Sequence, residues 1–282
     1  MGNGEEIRGA DTGRAETVYL CQVSDGVSCG ACCGLYNIKN LSKTKLEAML
    51  AERTEAFASV SRTEEGIDGF RIRVEGVTPA ERPFPEFHHC PFLGLIGPDK
   101  SRVGCMLHPA ASGNDGKDFR WLSWYGAMAC RIYFCPTHRI LPPAYQMIVR
   151  EAFDHWYFYG LIVTEHRLLT AFFAELEKRL SRCISSADFM PDSEAATLFR
   201  ELASLKIVWP HRRNGAPGPC HYMFENGEYD RPEIQRENPE IPLSHYETIF
   251  RELDSKFDSL EDMRHAEMRL DKFFENLMAA LG

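Results

Sequence analysis

Apolar residues recur at helical spacing through the second half of the chain. Ile148, Ala152, Phe153, Trp156 and Tyr157 share one face, and Leu168, Leu169, Phe172, Phe173, Leu176 and Leu180 form a second stripe. Residues 193–206 predict a third helix. Ser244 with Glu247 has the spacing of a capping box and opens a helix carrying Tyr246, Ile249, Phe250, Leu253 and Phe257. A last helix carries Met263, Ala266, Leu270, Phe273, Phe274 and Leu277. Aromatic and Met positions at this spacing are core positions. Between these helices, residues 209–243 hold six prolines and the turn pair Asn226-Gly227. That composition predicts a long loop with a hairpin in it.

The first half is less regular. Val18-Tyr19-Leu20 is a short apolar stretch, and Leu35-Tyr36-Asn37-Ile38 reads as a short strand. Ser42 caps a predicted helix with Leu46, Met49 and Leu50 inside it. Phe70-Arg71-Ile72-Arg73-Val74 alternates apolar and basic residues, which predicts a half-buried strand. Further short strands are expected around Phe92 and Val103, and a loop over 110–119. Residues 1–16 are polar and Gly-rich, the composition of a disordered tail. The pattern changes at Pro142-Pro143, dividing a module over 17–140 from a helical domain over 141–282. The expected class is therefore α+β: an irregular Cys-rich metal-binding module with short strands, packed against a mainly α-helical C-terminal half.

Composition narrows the function. The 282 residues are 44% hydrophobic and 26% charged, the balance of a soluble globular protein. A formal net charge of −9 argues against nucleic acid or an anionic membrane surface as a general partner. No apolar run approaches the roughly 18 residues needed to span a bilayer. No apolar signal core opens the chain, so a cytoplasmic protein is expected.

The candidate chemistry lies in the thiols. Eight of the ten cysteines fall within 17–138. Cys29, Cys32 and Cys33 occupy five residues, followed by Cys90, Cys105, Cys130 and Cys135, with Cys21 just upstream. Cys29 and Cys32 have the spacing with which two thiolates meet one ion from a tight turn, and Cys105 with His108 and Cys135 with His138 repeat it. Adjacent side chains in an extended segment point to opposite sides, so Cys32 and Cys33 could serve two ions or one multi-iron cluster. Soft thiolates select zinc, Cu(I) or iron–sulfur clusters, and spacing does not separate zinc from [4Fe–4S]. A chain this large, without a secretion signal, has little need of disulfides. Cys183 and Cys220 read as small buried hydrophobes. His88 and His89 read as donors supporting the ligands.

Cys29-Gly-Ala-Cys32-Cys33, Cys90-Pro91-Phe92-Leu93, Gly104-Cys105 and Cys130-Arg131-Ile132-Tyr133 together resemble the CxxCxxCC family, described as a zinc- or iron-chelating domain. The resemblance covers residues 19–138. Carried over position by position, it implies Cys29, Cys32, Cys33, Cys90, Cys105 and Cys130 as ligands, with Cys135 near the family's closing segment. Gly26 stands where the longest form of the motif has its first Cys, the Arg-Pro before Cys-Arg is absent, and the Cys105–Cys130 interval is expanded. A related branch includes flagellin lysine methylases, which combine a similar cysteine head with S-adenosylmethionine and an iron–sulfur centre. This chain has no G-x-G-x-x-G, P-loop, G-x-S-x-G or H-E-x-x-H.

Arg131, beside Cys130, is a candidate to hold an anionic ligand or to offset a cluster's charge. Asp154-His155 and Glu165-His166 read as solvated polar positions. The expected cofactor is zinc or iron, a [4Fe–4S] cluster included. The expected function is a cytosolic metal-binding protein with a multi-cysteine site. Two rivals stand beside it: an iron–sulfur enzyme of redox or methyl-transfer chemistry, favoured by a cleft beside Cys32-Cys33, and a metal-stapled interaction module, favoured by an exposed apolar patch without a cleft.

Overall fold

The computed structural model describes residues 18–39, 41–78, 82–216, 218–220, 224, 225, 228, 229 and 233–282. The predicted tail over 1–16 and the Asn226-Gly227 turn lie outside them. In chain order the elements of the first half are α1 (Lys43–Ala58), α2 (Glu64–Val77), β1 (Leu93–Ile96), β2 (Arg102–Cys105), α3 (Gly126–Ile132) and α4 (Thr137–Ile140). Then follow α5 (Pro143–Ala152), α6 (Trp156–Ile162), α7 (His166–Leu180), α8 (Glu194–Val208), β3 (Phe224–Glu225), β4 (Glu228–Tyr229), β5 (Gln235–Arg236), α9 (Glu247–Glu252), β6 (Lys256–Phe257) and α10 (Leu260–Leu281). The chain is α+β, with few short strands and a helical C-terminal half. Among the described residues no helix is long and apolar enough to cross a membrane.

Local sequence accounts for most of these elements. Ser42 accepts the Lys45 N–H and starts α1, which buries Leu46, Leu50 and Phe57. Thr63 accepts the Gly66 N–H and starts α2, which buries Ile67, Phe70 and Val74. The strand expected over 70–74 is therefore a helix. Ile67, Phe70 and Val74 follow a period near 3.6, while Ile72 is exposed and the basic residues fall on the outer face. A five-residue window saw the alternation and missed the cap upstream. Phe57 and Phe70 meet edge to face at 4.9 Å, and Phe70 stacks on Phe92 at 5.9 Å. Each fully buried Phe contributes roughly 1.5–3 kcal/mol relative to exposure, so this trio anchors both helices to β1. The expected strands near Phe92 and Val103 are the hairpin β1–β2, with Leu93 opposite Cys105.

Leu35–Ile38 is a turn, not a strand. A 3₁₀ turn over Ala31–Cys33 ends at Gly34, whose φ of 78° is left-handed. Asn37 then clamps the chain to the loop before Cys90. Its amide donates to the Phe84 and Phe87 carbonyls, both at 2.9 Å, and its carbonyl accepts the Phe84 N–H at 3.0 Å. A Cβ at position 34 would collide with the His88 carbonyl. Gly34→Ala is therefore expected to cost about 2–4 kcal/mol, combining backbone strain with overpacking, read as a lower midpoint in urea. An unchanged midpoint would show that this turn relaxes freely.

Two apolar cores form. One gathers residues of 31–107; the other is built by residues between 141 and 277. They interlock across the Pro142-Pro143 change. Trp156, Tyr157 and Leu161 of α6 join the first core, and Leu20 and Val27 join the second. Tyr36 donates to the Tyr157 carbonyl at 2.9 Å, and Tyr159 donates to the Leu20 carbonyl at 2.6 Å. The first helical stripe is two helices: α5 stops at Ala152, and α6 starts anew where His155 accepts the Tyr157 N–H. The α9 helix is shorter than expected, since Phe257 lies in β6, paired with β5. Glu247 reaches back to the Ser244 N–H at 3.2 Å, but the Ser244 hydroxyl accepts from Tyr246 at 3.1 Å, so only half of the box forms. Glu165 and His166 are buried, not solvated. Cys220 is buried in the first core, whereas Cys183 is exposed, contrary to its expected burial.

Candidate metal centre

The eight cysteines of the first half reach the site from five separate segments. Cys21 and Cys29 flank a short bridge pairing Gln22 with Ser28, and the Cys29 N–H donates to the Cys21 carbonyl at 2.8 Å. Cys32 and Cys33 stand in the 3₁₀ turn. Cys90 precedes β1, and its N–H donates to the Cys33 carbonyl at 2.9 Å. Cys105 ends β2, Cys130 lies in α3, and Cys135 lies just before α4.

One cavity of about 1120 Å³ collects them all. Cys21, Cys29, Cys32, Cys33, Cys90, Cys105, Cys130 and Cys135 line it, together with His108, His138 and Arg131. Every candidate residue taken from the sequence faces this one space. All ten cysteines of the chain are free thiols. Among the described residues, no three His, Cys, Asp or Glu side chains come together tightly enough to hold a single metal ion. Tetrahedral zinc at about 2.3 Å from each sulfur needs sulfurs only about 3.8 Å apart. Here the thiols surround a space instead of meeting at a point.

The electrostatics follow from that crowding. Burial pushes the Cys21 thiol up to about 12 and the Cys105 thiol up to about 11. Burial raises Cys29 and Cys90 as well, and the neighbouring sulfurs add to each shift. Cys32 is the exception. The Cys33 thiol donates to its sulfur and holds it below an ordinary cysteine, while Cys33 as donor is held well above. The pair stands in a 3₁₀ turn, which corrects the extended geometry expected for it. A bound cation would reverse the order, because a coordinating thiol loses its proton outright. As a donor set the residues fit a soft metal.

The two histidines differ. His138 accepts the Leu20 N–H at Nε2, at 3.2 Å, and its Nδ1 lies 3.5 Å from the Cys135 sulfur. With Nε2 accepting, the ring proton sits on Nδ1 and points at that sulfur. The imidazole thus orients Cys135. His108 is exposed, and its Nδ1 accepts the Ala110 N–H at 3.1 Å, which turns Nε2 outward from that bond. His89, buried, sits between the Gly34 carbonyl at 2.7 Å and the Arg53 guanidinium at 2.9 Å. Burial, with Arg53 adding to it, keeps the ring neutral down to about 3. Through Gly34 it buttresses the turn that carries Cys33. His88 stacks on Trp124 at 5.3 Å.

Sequence reasoning named Arg131 and missed Asp118 and Arg120 beside it. Asp118 holds Arg120 through contacts of 2.9 and 2.7 Å and Arg131 at 2.7 Å. Arg120 also lines the cavity and donates to the Cys130 carbonyl at 3.3 Å, and the Ser123 hydroxyl lies 3.0 Å from the Cys130 sulfur. The two guanidiniums hold the Asp118 carboxyl well below its usual range, Arg120 most of all. Tyr19, Tyr125, Tyr133 and Phe134 complete the lining, each with its ring substantially exposed. The signal was the expanded Cys105–Cys130 interval: Asp118, Arg120, Tyr125 and Arg131 all fall in it or at its edge.

No family model matches this chain, no curated protein matches it, and no solved structure matches it.

Proposed function

We propose that the chain is a metal-binding protein whose multi-cysteine cavity holds iron as an iron–sulfur centre, with Cys29, Cys32, Cys33, Cys90, Cys105, Cys130, Cys135 and Cys21 as the ligand pool. The observation that carries this reading is the convergence of eight thiols from five segments on one cavity. Thiols used only for packing have no reason to face a common space. An iron–sulfide core stands between its thiolates, so the open space that the thiols line suits a polynuclear centre better than single zinc ions. The resemblance to the CxxCxxCC family, carried by the same cysteines, implies most of the same ligands. A reducing compartment such as the cytosol suits thiols that must stay free to bind metal. Arg120 and Arg131 would offset the negative charge of a thiolate-bound centre.

A second reading has its own observation. The cavity continues past the sulfurs to Tyr19, Tyr125, Tyr133 and Phe134, which is the cleft beside Cys32-Cys33 that an iron–sulfur enzyme requires. That cleft favours an enzyme over an interaction module.

Anaerobic purification, a visible spectrum and elemental analysis test the proposal. Broad visible absorption with iron and acid-labile sulfide is expected. A colourless protein with stoichiometric zinc would remove the cluster and keep the metal site. A protein that takes up neither metal would end the reading altogether.

A further inference from the structure

The eight thiols are not one undivided ring. Cys21 and Cys29 are tied by their backbone bond at 2.8 Å. Cys135 is tied to the same strand segment, because His138 bridges the Cys135 sulfur and the Leu20 N–H. The Cys32 sulfur, were it ionised, would raise the Cys21, Cys29 and Cys135 thiols alike, which places it on their side of the cavity they line together. On the other side, Cys33 and Cys90 share the backbone bond at 2.9 Å, and the β1–β2 register sets Cys105 opposite Leu93, three residues after Cys90. The Phe119 N–H donates to the Leu107 carbonyl at 3.1 Å and Arg120 donates to the Cys130 carbonyl at 3.3 Å, which ties Cys130 to the segment that follows Cys105. The Cys32–Cys33 peptide bond joins the two halves.

We infer that the chain holds two metal centres, not one: Cys21, Cys29, Cys32 and Cys135 bind the first, and Cys33, Cys90, Cys105 and Cys130 bind the second. This rests on the metal-binding reading and divides its ligands. Each set has the four thiolates that a four-iron cluster takes. The centres are neighbours across a single peptide bond. Their surroundings differ: guanidiniums of Arg53 and Arg120 donate to the Cys90 and Cys130 carbonyls, both at 3.3 Å, on the second side, while His138 orients Cys135 on the first. One cavity wide enough for both lies between the sets.

The test is metal content per chain in full-length protein purified without oxygen, for the wild type, Cys135→Ser, Cys90→Ser and the double variant. Each single substitution is expected to halve the metal, and the double to abolish it. Loss of all metal in either single variant, or full retention in both, overturns the division while leaving metal binding standing. A wild type that binds no metal overturns the metal reading itself. Far-UV circular dichroism identifies a variant that fails to fold. The wild type supplies a measurement free of that risk, the alkylation of each cysteine with and without chelator, read by peptide mass. Chelator-dependent protection of all eight supports two centres; protection of four only, from either set or mixed, overturns them.

Discussion

On the proposed reading, removing the metal with a chelator under anaerobic conditions is expected to lower the apparent Tm by roughly 10–20 °C. The reasoning runs from ligand geometry to stability. The five cysteine-bearing segments are joined by turns and short pairings, with only β1 and β2 forming a hairpin longer than two residues a side. A site assembled from such pieces does not exist in the unfolded chain, so its binding free energy is folding free energy. A structural multi-thiolate centre is worth about 5 kcal/mol or more on this ground, and a chain of this size shifts roughly 2–4 °C per kcal/mol. The loss is also uneven. Residues 105–140 carry three of the eight thiols on short elements, while α7, α8 and α10 bury a core of their own that includes Leu169, Phe172, Phe199 and Phe274. Limited proteolysis of the stripped protein is therefore expected to cut first within 105–140, with the last helices protected. An unchanged Tm in protein proven free of metal would deny the centre any structural role.

The second large effect lies far from the thiols. Lys206 of α8 and Glu165, the residue before α7, form an ion pair at 3.1 Å with both side chains almost fully buried. The ammonium also donates to the Glu252 carbonyl at the end of α9, at 2.9 Å. One cation thus ties three helix ends together inside the second core. Lys206→Met removes the charge facing a buried carboxylate, and losing one member of such a pair costs about 3–5 kcal/mol. The expected fall in Tm is roughly 6–20 °C. Replacing both partners, as Lys206→Met with Glu165→Leu, is expected to recover much of the loss, because no buried charge is then left behind. If the single variant unfolds at the wild-type temperature, water reaches this pair and the burial has been misjudged. Metal content should stay at the wild-type level in both variants, which separates this effect from the first.

The exposed rings around the cavity bear on the choice between a closed and an open centre. Tyr133 and Phe134 sit on the two residues before Cys135, and Tyr19 meets Phe134 edge to face at 6.2 Å. They place apolar surface at the entrance to the sulfurs. A closed structural site has no use for such an entrance, so the enzyme reading gains from it.

What the chain alone determined was the material and the local form. Long apolar stripes such as Leu168 to Leu180 and Met263 to Leu277 specify helices because one face repeats often enough to outweigh local noise. The thiol-rich spacing identified every cysteine that lines the cavity, since residue chemistry is read directly from the letters. Short segments were decided elsewhere. Residues 70–74 alternate like a strand, and only the cap at Thr63 and the packing of Phe70 between Phe57 and Phe92 make them helical. Glu165 looks like a surface residue until α8 brings Lys206 against it. The gathering of the sulfurs around one cavity belongs to the same class. Cys33 and Cys90 lie far apart in sequence, yet the Cys90 N–H donates to the Cys33 carbonyl at 2.9 Å. Local pattern carries no record of such meetings, because the chain folds back on itself through packing that couples distant residues.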